Sequence, residues 1–344
     1  MNRNVLAFTL ILMLSVSLFY GLSVHSVEAD APATIYIKAD GSVEGTDKIQ
    51  RDGDVYTFTF DIYEPIVVGR DNIVVDGAGY TLQGTGGSES VGIDLSSRSN
   101  VTVSNLQIKY FEEGIRLGGF SNKITDNNVA NNSYGICLEG SSKNNIISGN
   151  NITNNWWGIR SRGSNNTIYA NNVTNNKNYG VYFDYSSDNS VVGNNIENNT
   201  CGLYFLLSSN NTVAYNNFMN NQEHVKDAYS DAPWLLEPSV NIWDDSKKGN
   251  YWRDYEVRYS DAKEMDGSGV WDTPYVIDEN NQDNYPRIDP AVIPELPDED
   301  ELVPTTDPFP TILIVAVLAL IFLLAVGSMV YFIKQRRILR LSGR

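Results

Sequence analysis

Residues 180–201 read GVYFDYSSDNSVVGNNIENNTC, and residues 202–223 repeat the same succession of residue types as GLYFLLSSNNTVAYNNFMNNQE. Working outward from this pair, six segments open on Gly followed by Ile, Val or Leu. They start at Gly92, Gly114, Gly135, Gly158, Gly180 and Gly202, at intervals of 22, 21, 23, 22 and 22 residues. A fixed period of this length is the mark of a solenoid, in which no unit buries its own apolar face. Within a unit the apolar runs last two to four residues and alternate with period two, which suits strands and is too short for helices. Between them come Ser/Gly/Asn turns, then Asn-x-(Ile/Val), then Asn-Asn-(Ile/Val/Phe), then a further Asn pair. One repeat is therefore a rung of about three short strands, and stacked rungs about 4.7–4.9 Å apart bond to one another as parallel strands. The expected fold is all-β, a right-handed parallel β-helix. Ile93, Ile115, Ile136, Ile159, Val181 and Leu203 form one internal column, and Leu95, Leu117, Leu138, Phe183 and Phe205 a second. The Asn columns 122, 145, 166, 189, 211 and 127, 150, 171, 194, 216 become ladders at the corners. A leucine-rich horseshoe of similar period is excluded by the missing Leu-x-x-Leu-x-Leu pattern and helical half.

The rungs occupy 92–224, and the rest of the chain is organised around them. Residues 1–29 read as a signal peptide, with Arg3, an apolar run from Val5 to about Leu22, and small residues before cleavage at Ala29. Residues 30–91 supply strands that lead into and cap the coil, and 225–290 form a C-terminal cap. Residues 291–310 are rich in Pro and acid and make a stalk. Residues 311–333 are 23 residues without a charge, the length of a tilted membrane helix. Residues 334–344 carry Lys334, Arg336, Arg337, Arg340 and Arg344 with no acid, a bias that keeps the tail cytoplasmic. The expectation is a single-pass cell-membrane protein with an extracellular β-helix.

The formal charge is −17, but six of the 25 basic groups lie in leader or tail and only Glu28 of the 42 acids lies outside 30–310, leaving 19 basic against 41 acidic groups. A field of that sign disfavours nucleic acid and anionic lipid. Only Cys137 and Cys201 are present, so no disulfide framework holds the fold.

The segments Ile35-Tyr-Ile-Lys-Ala-Asp-Gly-Ser42, Ile49-Gln-Arg-Asp-Gly-Asp54, Asp71-Asn-Ile-Val-Val-Asp-Gly-Ala-Gly-Tyr-Thr-Leu82 and the Asn-Asn rungs resemble NosD-type β-helix proteins of archaeal surfaces. These belong to the carbohydrate-binding and sugar-hydrolase superfamily. Gly249-Asn-Tyr-Trp-Arg-Asp-Tyr255, Asp272-Thr-Pro-Tyr-Val-Ile-Asp278 and Asp283-Asn-Tyr-Pro286 look like that family's C-terminal signature, so the resemblance covers roughly 33–290. It implies the fold, export and a role as a copper accessory. Copper needs imidazole or soft sulfur. With His25 in the leader, His224 alone, and the two cysteines three rungs apart, copper is not expected.

The outward positions carry the candidate chemistry. Glu139, Arg160, Arg162 and Asp184 are near neighbours on the first strand of successive rungs, a composition that resembles a polysaccharide site and would serve a lyase or glycosidase. Ion pairs alternating along a surface give the same composition. Tyr134, Trp157 and Tyr179 precede three successive glycines, with Trp156 beside them and Tyr182 and Tyr204 two residues after the Gly. They form a flat platform for sugar rings, or equally a stack that stabilises the corner. Asp266, Ser268 and Asp272 lie at alternate places on a Gly-rich loop, as a calcium ligand set does, although a plain turn packing Trp271, Trp252 and Tyr275 onto the coil is the other reading. Asn-x-Ser/Thr occurs at Asn100, Asn131, Asn151, Asn165, Asn172, Asn198 and Asn210, where an exported chain could carry glycans. The expectation is a non-catalytic surface protein whose partner is a polysaccharide or envelope glycan. The alternatives are a polysaccharide lyase or glycoside hydrolase, a structural envelope or adhesion protein, and a copper-maturation accessory.

Overall fold

The computed structural model describes residues 34–292. The expected leader, most of the stalk, the membrane helix and the basic tail lie outside the described residues. The chain winds into a right-handed parallel β-helix of about eight turns. Three sheets of ten, nine and eight strands run along it, and each turn gives one strand to each.

The register follows from the glycines. Ile93, Ile115, Ile136, Ile159, Val181 and Leu203 stand opposite one another in the first sheet. The same column continues back through Ile66 to Ile35 and forward to Val225. In-register pairing therefore extends well beyond the six legible rungs. Ile35 through Leu203 in this column are fully buried, each worth roughly 1.5–3 kcal/mol on removal from water. The rung glycines have a steric cause: a Cβ on Gly158 would lie 2.5 Å from the carbonyl oxygen of Gly180 in the next rung. Residue 224, one period after Gly202, has no rung beyond it in this sheet, and there a histidine is tolerated.

The Asn pairs at two of the three corners divide two tasks. The first residue turns the corner with positive φ, as at Asn144, Asn154, Asn165, Asn175 and Asn198, a conformation that Asn reaches more readily than most residues. The second points inward and is buried. At the remaining corner the pairs beginning Asn127, Asn150, Asn171, Asn194 and Asn216 bury their first residue, and the residue before it takes the positive φ. Asn145 Oδ1 accepts from the backbone N of Asn122 at 2.8 Å, Asn166 Oδ1 from that of Asn145 at 2.9 Å, and Asn189 Oδ1 from that of Asn166 at 2.9 Å. The ladders expected at the corners thus run inside the coil, and there are three: the two expected columns and a third through Asn132, Asn155, Asn176, Asn199 and Asn221. They satisfy buried corner N–H groups that strand pairing leaves over.

At the N-terminal end Val43–Glu44 pairs antiparallel with Ile35–Ile37, and Ile49–Asp52 with Val55–Phe58, reversing the chain over the open coil. At the other end Trp252 is stacked between Phe218 and Tyr275, 4.4 and 4.1 Å away by ring centroids. Among the described residues no helix is long and apolar enough to cross a membrane.

Candidate functional site

Alternation along the first-sheet strands sends the residue before each Gly, and the residue two after it, to the outer face. Tyr134 stands opposite Trp157, Arg160 opposite Tyr182, and Tyr182 opposite Tyr204. The structure therefore brings all five predicted rings together over four rungs. They do not make a flat platform. Trp157 meets Tyr134 edge-on at 5.1 Å and 89°, and Tyr182 at 4.8 Å and 73°. Tyr179 packs on Tyr182 at 5.3 Å and 26°, and on Tyr204 at 4.6 Å and 38°. Edge-to-face contact is what ring quadrupoles favour when neighbours are held about one strand apart.

The Arg160 guanidinium lies 5.7 Å from the Tyr134 ring and 5.6 Å from the Trp157 ring, close enough for cation–π attraction. Its Nε and the Trp157 Nε1 are buried without a hydrogen-bond partner. Arg160 Nη2 and Arg162 Nε both donate to Asp184 Oδ2, at 3.1 and 2.8 Å. Asp184 is buried and Arg162 is 45% exposed. Three of the four candidate catalytic residues thus form one ion-paired unit. Glu139, on the preceding rung, is not in it, although its negative charge helps hold the Arg162 guanidinium protonated, after the larger effect of the Asp184 hydrogen bond. Burial pushes the Tyr182 hydroxyl up to about 12 and raises Tyr179 and Tyr204 as well, so all three remain neutral donors at ordinary pH.

The outward position of Cys137 does not make it accessible. It is buried, and burial, with a smaller effect of the Glu113 charge, raises its thiol well above the ordinary range. Cys201 is likewise buried, its thiol pushed up to about 12. Softness alone would suit both sulfurs to copper, but protonated, buried and three rungs apart they do not fit a shared ion. His224 has both ring nitrogens engaged, Nε2 at 3.3 Å from Asp254 Oδ1 and Nδ1 at 3.3 Å from Asn221 Nδ2. Among the described residues no three His, Cys, Asp or Glu side chains are placed to hold a metal ion.

On the loop read as a calcium site, Asp272 Oδ1 accepts from the backbone N of Lys263 at 3.0 Å and from the Thr273 hydroxyl at 3.0 Å. The Ser268 hydroxyl donates to the Met265 carbonyl at 2.5 Å, and Asp266 takes positive φ. Behind the loop Trp271 stacks on Tyr255 at 5.1 Å.

A second concavity escaped the sequence. A cleft of about 400 Å³ opens beside the last strand of the first sheet, Glu223–Asp227, with Glu223, His224, Asp254, Arg258 and Tyr275 on its walls. Tyr275 donates to both Asp254 oxygens at 3.1 Å, and Arg258 lies 4.3 Å over the Tyr275 ring. Burial opposes ionisation of Asp254, but hydrogen bonds from His224 and Tyr275 and the charge of Arg258 hold the carboxyl below its usual range. The available signal was the 22-residue spacing from Gly202 to His224, which marks where the stacking stops.

A family model described as "Periplasmic copper-binding protein (NosD)" matches residues 66–257. No curated protein matches the chain. Among solved structures, the periplasmic alginate epimerase AlgG is similar at 16% identity over 55% of this chain and 47% of that one, with a TM-score of 0.43. The A-module of the Azotobacter vinelandii mannuronan C-5 epimerase AlgE4 is similar at 13% identity over 57% and 67%, with a TM-score of 0.34. Pectate lyase Pel9A is similar at 14% identity over 57% of each chain, with a TM-score of 0.34. The chain spans about half the length of the first of these, and at such identities the likeness is one of fold.

Proposed function

The chain belongs to the NosD family of β-helix proteins, and from that premise we propose that it is an exported scaffold whose first-sheet face binds a polysaccharide or envelope glycan without transforming it. One observation carries the reading: the five rings occupy outward columns that the coil does not reserve for rings. The column of Tyr134, Trp157 and Tyr179 holds Val91 and Glu113 before them and Cys201 and Glu223 after them. The rungs stack equally well with those residues, so the fold does not call for the aromatic cluster. Half-buried rings beside hydroxyls and guanidinium groups suit a pyranose, whose C–H faces rest on aromatic surface while its hydroxyls bond at the edge.

The chemistry of the acids supports binding over catalysis. Glycoside hydrolysis by two carboxyl groups needs one free to act as acid and another as nucleophile or base. Asp184 is committed to two arginines, and Glu139 stands on another rung outside that unit. The copper reading of the family description finds no donor set in these residues. Tethering to a membrane through 311–333, with the coil outside the cell, completes the proposal.

The test is a glycan array probed with the full-length protein and with Trp157→Ala and Arg162→Ala. Arg162 is exposed enough that its loss leaves the fold intact, and melting curves provide the control. Retention of a glycan that falls tenfold or more in both variants is expected. No retained glycan, or retention indifferent to both variants, overturns the reading. Release of unsaturated or reducing sugar by the protein would overturn its non-catalytic part.

A further inference from the structure

The charge arrangement on this face narrows the ligand, an inference that rests on the glycan-binding reading. Every arginine and lysine carried by the described first-sheet strands or directly flanking them has a carboxylate partner. Lys38 pairs with Glu44. Arg116 pairs with Glu113 at 2.7 Å and with Asp94 at 3.9 Å. Arg160 and Arg162 share Asp184, and Lys226 pairs with Asp231 at 3.0 Å. A polyanion is held by cations whose donors are free to fork onto carboxylate or sulfate oxygens. Here each guanidinium already has a carboxylate beside it, which an anion reaching the remaining open nitrogens would meet as a like charge. The approach is disfavoured too, since residues 30–310 carry 19 basic against 41 acidic groups and such a field repels an acidic chain.

What the face does offer suits hydroxyl groups. Both arginines bond Asp184 through Oδ2, which leaves Oδ1 to accept from a ligand hydroxyl. The tyrosine hydroxyls donate and accept, and the outer Arg162 nitrogens are exposed. A hydroxyl supplies both a donor and an acceptor, whereas a carboxylate only accepts and would face Asp184 as a like charge.

We propose that the glycan bound by the Tyr134–Tyr204 face lacks acidic substituents, and that the Asp184 carboxylate, by occupying Arg160 and Arg162, is the residue that excludes uronates and sulfated sugars. Asp184 is here a specificity determinant.

The experiment measures binding of the full-length protein to immobilised neutral glucans and mannans, to partly deacetylated chitin, and to polygalacturonate, alginate and heparin, at 20 and 300 mM salt. The native protein should retain one or more non-acidic glycans with little salt dependence and retain the acidic ones at least tenfold less. Asp184→Asn, which releases both guanidinium groups, should raise retention of the acidic glycans tenfold or more at low salt, with the gain lost at high salt. Glu139→Gln removes an unpaired neighbouring charge without touching the ion-paired unit, and should raise acidic retention a few fold; it serves if Asp184→Asn fails to fold. Acidic glycans bound more tightly than neutral ones by the native protein, or no gain in either variant, overturn the proposal while leaving glycan binding intact. Failure of every glycan on native and variant protein alike removes both readings.

Discussion

Replacing Asn171 by Ala tests the interior ladders most directly. Asn171 Oδ1 accepts from the backbone N and from Nδ2 of Asn150, both at 3.0 Å. Its own Nδ2 donates to the Ile147 carbonyl at 2.8 Å and to Asn194 Oδ1 at 3.0 Å. After truncation Asn150 Nδ2 keeps the carbonyls of Ile124 and Ser148, and Asn194 Oδ1 keeps the backbone N of Asn171. One group is stranded without replacement, the Asn150 N–H, because the Ile147 C=O lies within a paired strand and keeps that ladder. A buried orphan costs about 1–3 kcal/mol, and a small cavity adds to it. The expected loss is about 2–4 kcal/mol, a large share of the ~5–15 kcal/mol that separates native from unfolded chains. Asn172→Ala is the control: its side chain is exposed and bonds only Asn151 Oδ1 at 2.9 Å, so it should change stability by about 0.5 kcal/mol or less. Urea unfolding followed by circular dichroism measures both. A loss below about 1 kcal/mol for Asn171→Ala, with an unchanged denaturant slope, would refute the claim that the ladder satisfies these backbone groups.

The rung glycines predict a second contrast. Gly158→Ala places a Cβ against a backbone oxygen that cannot move without opening the stack and should cost about 1–3 kcal/mol, whereas His224→Gly, one position past the last such contact, should gain nothing from restoring the repeat; equal and small effects in urea unfolding would contradict this. Asp283 supplies a pH dependence: burial raises its carboxyl to about 6 despite hydrogen bonds from Asn250, Trp252 and Tyr285, so the folded state holds the proton more tightly than the unfolded one. Its contribution is complete below about pH 4 and is lost as pH rises through 6, by about 2–3 kcal/mol; melting of the native protein should fall across that window relative to Asp283→Asn, and parallel curves would sink the assignment. Cys137 and Cys201, both buried with raised thiol pKa values, should resist a thiol reagent at pH 7.5 in the folded protein and react once unfolded, and rapid labelling of native protein would show the first-sheet surface to be open.

What the sequence made legible was whatever repeats. The Gly-(Ile/Val/Leu) spacing gave the register of the first sheet, and with it the meeting of Tyr134, Trp157, Tyr179, Tyr182 and Tyr204, because a strand neighbour in a coil is always one period away. The Asn pairs were visible, but not which residue of a pair turns the corner and which lies inside, since either task favours Asn. Ring orientation was not legible either: the 89° between Trp157 and Tyr134 depends on rotamers that Arg160 shares. Beyond Asn221 the repeat lapses, and contacts become long in sequence. Asn217 bonds Ala291, and Asn241 bonds Asn281. No period announces such pairs, so the cleft beside His224 stayed hidden.

The way the ladders end gives the C-terminal cap its chemistry. An interior Asn presents Oδ1 to the backbone N of the rung before and Nδ2 to the Asn of the rung after, so the last member of each ladder arrives with a donor that needs an acceptor. The second ladder meets Asp283, whose Oδ2 accepts from Asn250 N at 2.7 Å, Asn250 Nδ2 at 3.3 Å and Trp252 Nε1 at 2.9 Å, while Oδ1 accepts from Tyr285 N at 3.0 Å. An amide there would aim one donor at another, which is why a carboxyl stands at that position in spite of its burial. The third ladder meets His224. Asn199 donates to Asn221 Oδ1 through both its backbone N and its Nδ2, so the Asn221 amide is oriented with Nδ2 toward the imidazole. His224 Nδ1 is then the acceptor, and its Nε2 carries the proton given to Asp254. A chain of amides starting at Asn132 thereby sets the tautomer of the one histidine in the described coil, four rungs away. The first ladder ends on Asn281, which receives Asn241 N and Trp243 Nε1 on one oxygen and leaves Asn241 Nδ2 without a partner. Asn281 is held in that orientation because its own Nδ2 donates to the Ser239 carbonyl at 2.8 Å and to both Asp278 oxygens at 2.9 Å. Asn281→Asp would set a second carboxylate against those acceptors and should cost about 3–5 kcal/mol, and an unchanged urea midpoint would contradict this account of the ladder's end.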